Sequence, residues 1–359
     1  MGYFLYCHFP NNIRLSKINY YIFVPMQLLR KLLFPFSLMY ALVVRLRNWF
    51  YDEGIFKSKS YPTTTVCIGN LSVGGTGKTP MTELLVRSLR STNKVAVLSR
   101  GYGRKSSGFV LANAGTTVTE IGDEPFQMFS KFPESTIAVD ADRRNGIARL
   151  QQEIKPDIIL LDDAFQHRKV HPDFSILLTA YHNLYVDDWY LPTGDLRDSK
   201  QAASRAAVII VTKCPPDLTT KLQKAIEKKL RPKPHQIVLF AYLSYRTKLG
   251  GAPHNLDLSY FKGKKVTLVT GIANPAPLVT YLTQSGLAFE HLAYTDHHFF
   301  TKKEIELLKT KPNILTTEKD YSRLKDSVEN VLFVSVEHRF LFNGKAILED
   351  QLKELMTKA

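Results

Sequence analysis

A two-unit α/β protein, with a mostly parallel sheet flanked by helices, is what this sequence predicts, and three observations predict it. From residue 62 onward, short β-rich runs alternate with helical stretches, the pattern of a parallel sheet covered by helices. Several of those runs are apolar throughout, as strands buried on both faces are. The chain has 359 residues, room for two domains of ordinary size.

Residues 1–50 precede that alternation and differ from it. Ile22 to Phe50 is the most apolar stretch, and its longest uncharged run is Leu32 to Val44. A spanning helix needs about 20 apolar residues. Arg30 and Lys31 interrupt the run, and Pro25 and Pro35 break its helical continuity. No small-residue cleavage site follows, so a secretory signal is not indicated. The chain carries a formal +15, and residues 1–60 hold eight Lys or Arg (Arg14, Lys17, Arg30, Lys31, Arg45, Arg47, Lys57, Lys59) against Asp52 and Glu53. A basic, apolar segment of this length predicts a membrane-associating helix lying in one leaflet of an anionic membrane, with Arg45 and Arg47 at headgroup level. Charge alone is also compatible with nucleic acid, but no nucleic-acid-binding signature accompanies it, and no such partner is expected. Cys7, Cys67 and Cys214 form neither a disulfide framework nor a metal pair, which fits a reducing compartment.

The first unit, residues 51–244, contains the predicted strands 64–68, 95–99, 136–139, 157–161, 174–178, 207–212 and 236–240. Predicted helices at 81–90, 145–153 and 218–230 lie between them. The polar stretch Tyr245–Asn255 contains Gly250, Gly251 and Pro253 and reads as a hinge-like linker. Residues 256–359 repeat the alternation as a smaller α/β unit, with strands at 265–270, 288–294, 313–316 and 330–334.

The first strand runs into Gly69-Asn70-Leu71-Ser72-Val73-Gly74-Gly75-Thr76-Gly77-Lys78-Thr79-Pro80, and a helix follows. Strand, glycine loop and helix in this order are the setting of a P-loop, in which the backbone of Gly74, Gly75, Thr76 and Gly77 curls its N–H groups toward phosphate oxygens. Lys78 reaches the β- and γ-phosphates and the Thr79 hydroxyl reaches Mg²⁺. Ser72 stands where the strict pattern has its first glycine. The predicted strand 157–161 ends in Asp162 and Asp163, carboxylates suited to holding that Mg²⁺. The fold expected of the first unit is therefore of the P-loop NTPase type, with ATP as co-substrate. Thr212-Lys213-Cys214-Pro215 lacks the Asp of a guanine reader, which argues against a GTPase. The residues leave a second class open, a regulatory or metal-insertion P-loop NTPase with no acceptor.

Further segments lie beyond predicted strands: Ser99-Arg100-Gly101-Tyr102-Gly103-Arg104, Gly122-Asp123-Glu124-Pro125, Asp142-Arg143-Arg144 and Leu191-Pro192-Thr193-Gly194-Asp195-Leu196-Arg197. Singly, each has a plain reading as a cap, turn or solvated surface. The second unit adds Thr270-Gly271-Ile272-Ala273-Asn274-Pro275, Asp296-His297-His298 and Thr317-Glu318-Lys319-Asp320. Together and in this order, these segments resemble the tetraacyldisaccharide 4'-kinase family, over residues 26 to 335. Ala164 departs from the glycine that the family usually has there. Family members typically begin near Met26, so residues 1–25 read as an extension or a misassigned start.

The resemblance implies transfer of the ATP γ-phosphate to the 4'-hydroxyl of a tetraacylated disaccharide 1-phosphate. It places the chain at the cytoplasmic face of a Gram-negative inner membrane, peripheral or monotopic, with a glycolipid as its substrate and no obligate protein partner. By the same resemblance, Glu124, Asp162 and Asp163 serve Mg²⁺ with Thr79. Asp123 is the base and works with a His of the Asp-His-His segment, while Lys78 neutralises phosphate charge. A free Asp has a pKa of about 3.9, and the His partner is expected to raise its proton affinity. The sequence leaves His297 and His298 both open, and His297 is the choice. Tyr102, Arg104, Arg143 and Arg197 are candidates for binding the lipid headgroup or the charge of the transition state.

Overall fold

The structure, a computed structural model, describes residues 5–6, 30–251 and 256–358. Cys7, Arg14, Lys17, Pro25 and the linker positions 252–255 lie outside the described residues. In chain order the elements are β1 (Leu5–Tyr6), α1 (Phe34–Asp52), β2 (Thr64–Asn70), α2 (Lys78–Leu89), β3 (Val95–Ser99), β4 (Val110–Leu111), α3 (Val118–Ile121), α4 (Asp123–Lys131), β5 (Thr136–Val139), α5 (Arg143–Glu153), β6 (Ile158–Asp162), β7 (Phe174–Ala180), β8 (Val208–Thr212), α6 (Thr220–Leu230), β9 (Ile237–Gly250), β10 (Val266–Thr270), α7 (Ala276–Gln284), β11 (Phe289–Ala293), α8 (Lys302–Lys309), β12 (Ile314–Thr317), α9 (Glu318–Leu324), β13 (Leu332–Phe340) and α10 (Gly344–Lys358).

All strands join one sheet in the order β1-β11-β10-β12-β13-β9-β8-β7-β2-β6-β3-β5-β4. From β9 through β8, β7, β2, β6 and β3 to β5 the pairing is parallel, and β11, β10, β12 and β13 are parallel to one another. Strands β2, β3, β6, β8 and β10 are buried along their whole length, which is why their sequences are mostly apolar and do not alternate with polar residues. Alternate residues still divide between two cores. Val66 and Ile68 face one side with Met81 and Leu85 of α2, while Cys67 faces the other with Ile147 and Leu150 of α5.

Two expectations about domain organisation change. Residues Tyr245–Gly250 are the second half of a single strand, and the polar-linker reading of that stretch is corrected. Ile237, Val238, Leu239 and Phe240 pair parallel with β8, and the continuation to Gly250 pairs antiparallel with β13. The polar residues Arg246, Thr247 and Lys248 are exposed there, because an antiparallel ribbon needs only one covered face. Gly250 serves packing: a Cβ would stand 2.1 Å from the Phe333 ring on the neighbouring strand. The last helix also crosses back. Leu348 and Leu352 of α10 are buried in the core formed by β2, α2 and β6, so the first unit is completed by the end of the chain.

Helix α1 has its polarity reversed relative to a core helix. Its buried face is Ser37, Ala41, Val44 and Asn48, while Phe36, Leu38, Met39, Leu42, Val43, Leu46 and Trp49 are exposed. Pro35 sits in its first turn, where a missing N–H costs nothing, so it starts this helix and does not break it. Among the described residues no helix is long and apolar enough to cross a membrane. Polar contacts clamp α1 and the residues just before it to the segment 192–198: Ser37 Oγ to Thr193 Oγ1 at 2.7 Å, Asn48 Nδ2 to Asp198 Oδ1 at 2.7 Å, and Arg30 to the carbonyls of Pro192 and Gly194. Arg47 was expected at headgroup level, but it turns inward and donates to the Gln166 carbonyl at 2.7 Å. Arg45 stays exposed.

Candidate active site

The glycine loop leaves β2 at Asn70 and enters α2 at Lys78, at the end of the sheet where parallel strands point their carboxyl ends. It is held from several sides. Asn70 Nδ2 donates to Thr76 Oγ1 at 3.0 Å, Ser72 Oγ to Asp188 Oδ2 at 2.9 Å, and Thr212 Oγ1 to the Thr76 carbonyl at 2.8 Å. The buried His338 of β13 donates from Nε2 to the Gly77 carbonyl at 2.8 Å. Burial pushes the His338 imidazole down to about 4, so it stays neutral near pH 7. Gly77 has φ +87, and a Cβ there would lie 2.7 Å from that imidazole nitrogen. Left-handed backbone and close approach together explain the glycine. His338 was missed in the sequence, where nothing but tertiary structure connects it to Gly77.

Beside the loop, Lys78 Nζ lies 3.7 Å from Asp163 Oδ2. Thr79 follows in the first turn of α2 and is half-buried. Asp162 closes β6, and its carboxylate accepts from Thr82 Oγ1 at 3.1 Å and Ser99 Oγ at 3.2 Å. Burial and the neighbouring Asp163 charge raise its pKa. Burial and the Asp162 charge push Glu124 up to about 7, against the pull of Lys78 and Lys319. Burial acts the same way on Asp163, but Lys78 and Arg197 outweigh it and hold that carboxyl below its ordinary value. Crowded carboxylates with raised proton affinity are a group short of positive charge. This suits a hard cation that takes few protein oxygens and completes its shell with water and phosphate. Among the described residues no three such groups converge into a closed metal cage.

Asp123 opens α4 one residue before Glu124. Gly122 precedes it with φ +87, where a Cβ would meet the Tyr102 carbonyl at 2.7 Å. His297, from the loop after β11 and 174 positions away in the chain, meets Asp123, with Nδ1 2.9 Å from Asp123 Oδ2. His298 turns the other way and bonds Glu304 Oε2 at 2.9 Å. Two residues of α9 complete the cluster. Arg323 is bidentate on Asp123, through Nε to Oδ1 at 3.0 Å and through Nη2 to Oδ2. Lys319 Nζ lies 3.0 Å from His297 Nε2. Asp320 accepts from the Gly271 N–H at 2.9 Å and from Thr317 Oγ1 at 2.7 Å, which ties α9 to the loop after β10.

Burial alone would raise the pKa of Asp123, but the hydrogen bonds and charge of Arg323, with a smaller effect from His297, bring it below the ordinary carboxylate range. The expectation that a His partner raises its proton affinity is therefore corrected: both neighbours favour the anion. Arg323 was missed in the sequence. Its spacing four residues after Lys319, which puts both on one helix face, was the available signal.

The four headgroup candidates separate. Tyr102 is 74% exposed, and its ring lies 5.7 Å from that of His297. Arg104 folds back on its own loop and donates to the Gly108 carbonyl at 2.7 Å. Arg143 is 2% exposed and donates to the carbonyls of Asp140 at 2.7 Å and Asp162 at 3.2 Å, so its guanidinium braces the end of β6 and is not displayed to a headgroup. Asp142 caps α5 by accepting from the Arg144 N–H. Arg197 bridges Asn70 Oδ1 and Asp163 Oδ1, linking the glycine loop to the acidic strand end.

Known proteins are similar to this chain in sequence and in fold. The sequence profile of the tetraacyldisaccharide-1-P 4'-kinases matches residues 29–357. A tetraacyldisaccharide 4'-kinase of Flavobacterium johnsoniae is 46% identical over 322 residues, which cover 88% of this chain and 94% of that protein. One from Phocaeicola vulgatus is 46% identical over 310 residues, 82% of this chain and 85% of its own. A crystal structure of LpxK from Aquifex aeolicus in complex with ATP superposes with a TM-score of 0.75 at 28% identity, covering 91% of this chain and 99% of that one. The matched span runs from the start of α1 to the last turn of α10 and includes both sides of the Asp123–His297 contact, so the chain belongs, over its two units, to the tetraacyldisaccharide-1-P 4'-kinase family.

Proposed function

We infer that this protein transfers the γ-phosphate of ATP to the 4'-hydroxyl of a tetraacyldisaccharide 1-phosphate, making the bis-phosphorylated lipid A precursor. The observation that carries the reading is the Asp123–His297 contact at 2.9 Å, which sets a proton acceptor from one unit and its partner from the other beside a glycine loop and three carboxylates. A nucleotide hydrolase with no acceptor has no use for that second-unit histidine. In the assay that tests this, labelled phosphate appears on tetraacyldisaccharide 1-phosphate in detergent, and ATP turnover depends on that lipid. ATP hydrolysis at the same rate without lipid would overturn the inference in favour of a regulatory NTPase.

In this reading the loop is a P-loop. The N–H groups of Gly74, Gly75, Thr76 and Gly77 cradle phosphate, and Lys78 leaves Asp163 to follow the transferring group. Asp162 and Glu124, with the Thr79 hydroxyl, hold Mg²⁺ directly or through water, and Asp163 adds charge while orienting Lys78 and Arg197. A Mg²⁺ held by these residues would supply charge neutralisation to the phosphates of ATP. Asp123 accepts the 4'-hydroxyl hydrogen. The O–H bond breaks as the new O–P bond forms, the bond from the γ-phosphorus to the β,γ-bridging oxygen breaks, and ADP leaves. A weak base suffices, because the transition state is loose and the proton leaves late. Tyr102, exposed beside His297, is the headgroup residue of the four candidates. Arg143 and Arg197 act as supports.

The exposed ridge of α1, with the exposed Trp189 against Phe34 at 5.3 Å between ring centroids, seats the protein in one leaflet at the cytoplasmic face of the inner membrane, where its lipid lies. Removing residues 1–50 would leave the buried Asp198 without Asn48, so surface substitutions test this better. Replacing Phe36, Met39, Leu42 and Leu46 together by Gln is expected to lower flotation with anionic vesicles at least about a hundredfold, since each such side chain contributes about 1.5–3 kcal/mol when buried. ATP binding should be retained. Equal flotation of both proteins would remove α1 as the anchor.

A further inference from the structure

His297 is engaged at both ring nitrogens, and the two contacts together fix its tautomer. Nδ1 lies 2.9 Å from Asp123 Oδ2. A carboxylate can only accept, so Nδ1 carries the hydrogen. Nε2 lies 3.0 Å from Lys319 Nζ, and an ammonium can only donate, so Nε2 is the bare acceptor. A ring carrying hydrogen on Nε2 would set donor against donor at that distance. The other groups facing the ring do not compete. Arg323 Nη2 is 3.4 Å from Nδ1 but is already given to Asp123 Oδ2. Asp296 Oδ2 stands 4.0 Å from Nε2, and Asp296 itself bonds Lys319 at 3.2 Å. Tyr102 meets the ring by its face or edge only.

Lys319 and Arg323 are one turn apart on α9, and they close the two ends of one chain: Lys319 on His297, His297 on Asp123, Arg323 on Asp123. We propose that Lys319 is a positioning residue for the transfer step, acting through His297: its ammonium holds the ring in the Nδ1–H tautomer and aims it at Asp123. Arg323 keeps Asp123 ionised and Lys319 keeps its histidine partner in register. Without Lys319 the ring is free to rotate or to place its hydrogen on Nε2, and Asp123 then loses the donor that orients it toward the acceptor hydroxyl. Partners that orient a metal-binding histidine through its other ring nitrogen are worth about 10–100-fold in affinity or activity, and a loss of the same order is expected for a histidine oriented in the same way here.

The proposal rests on the kinase reading above, and the experiment separates the two, because failure of that reading would appear as no transfer by the unsubstituted enzyme. The full-length protein is compared with Lys319→Met, His297→Ala and the double variant, using ATP and tetraacyldisaccharide 1-phosphate in detergent, with ATP binding as the check on folding. Lys319→Met is expected to lower kcat about 10- to 100-fold with the KM for ATP unchanged. Added to His297→Ala, it should cost no more than about 2-fold, since a residue that acts through another contributes nothing once that one is gone. Lys319→Arg, which keeps a cationic donor of similar reach, retains most of the rate. An equal loss from Lys319→Met in both backgrounds overturns the proposal. So does a raised KM for ATP, which would make Lys319 a phosphate contact.

Discussion

Lys78→Ala is expected to lower kcat about 1,000-fold or more. Removing one preorganised donor aimed at developing charge commonly costs 10²–10³ in rate, and here the same charge has a second task. Lys78 also draws down the raised proton affinities of Glu124 and Asp162. Without it, both carboxyls become harder to ionise, and the proposed Mg²⁺ site should weaken along with the phosphate contact. Asp163 keeps Arg197 as a partner, so the fold should survive. Steady-state kinetics at saturating ATP check this, with thermal unfolding as the control. A near-normal kcat would exclude the glycine loop as the phosphate cradle.

On the role proposed above, Asp123→Asn should reduce kcat about 10²- to 10⁴-fold, the range of a lost general base, with little change in the KM for ATP. Asparagine is the informative substitution. Arg323 is buried, with 3% of its side chain exposed, and leans on Asp123 and Asp320. Alanine would leave that cation half paired, at a cost approaching the roughly 3–5 kcal/mol of a broken buried ion pair. The amide retains an acceptor for Arg323 while removing the base. Because Arg323 and His297 hold Asp123 below the ordinary carboxylate range, its folded-state pKa is depressed. Its contribution to stability is present above the unfolded value of about 3.9 and lost as pH falls through the folded value. Unfolding measured near neutral pH and again in acid should therefore show Asp123→Asn less stable than the parent at neutral pH, with the gap narrowing in acid. If only ATP affinity changed, Asp123 would be a nucleotide contact.

Much of the architecture was legible because its signals are local. A strand covered on both faces is apolar over most of its length, and β2, β3, β6, β8 and β10, buried at every position, are rich in Val, Ile and Leu with polar residues mainly at their ends. Glycines at 74, 77 and 122 have positive φ, and a sequence can show where such residues cluster. What misled was the reading of polar composition as a loop. Arg246, Thr247 and Lys248 are exposed, yet they belong to the strand that makes the two units one sheet. Arg143 misled in the opposite sense: a charged side chain after a strand looks like surface, but this one is buried and donates from its two terminal nitrogens to the carbonyls of Asp140 and Asp162.

By itself, then, the sequence determined the order of strand, glycine loop and helix, the acidic strand end, the apolar basic segment near the N-terminus and the family resemblance that these segments carry in sequence order. Periodicity, turn chemistry and motif spacing act between residues near one another in the chain, and they are written there. Tertiary structure alone decided that His297 and not His298 meets Asp123, that Arg323 and Lys319 bracket that pair, that His338 holds Gly77, and that Arg197 joins Asn70 to Asp163. Each of these is a contact between side chains or backbone groups far apart in the chain. Their protonation and orientation depend on burial and on the charge of a partner that only the folded sheet brings within 3 to 4 Å, so no local property of the sequence can encode them.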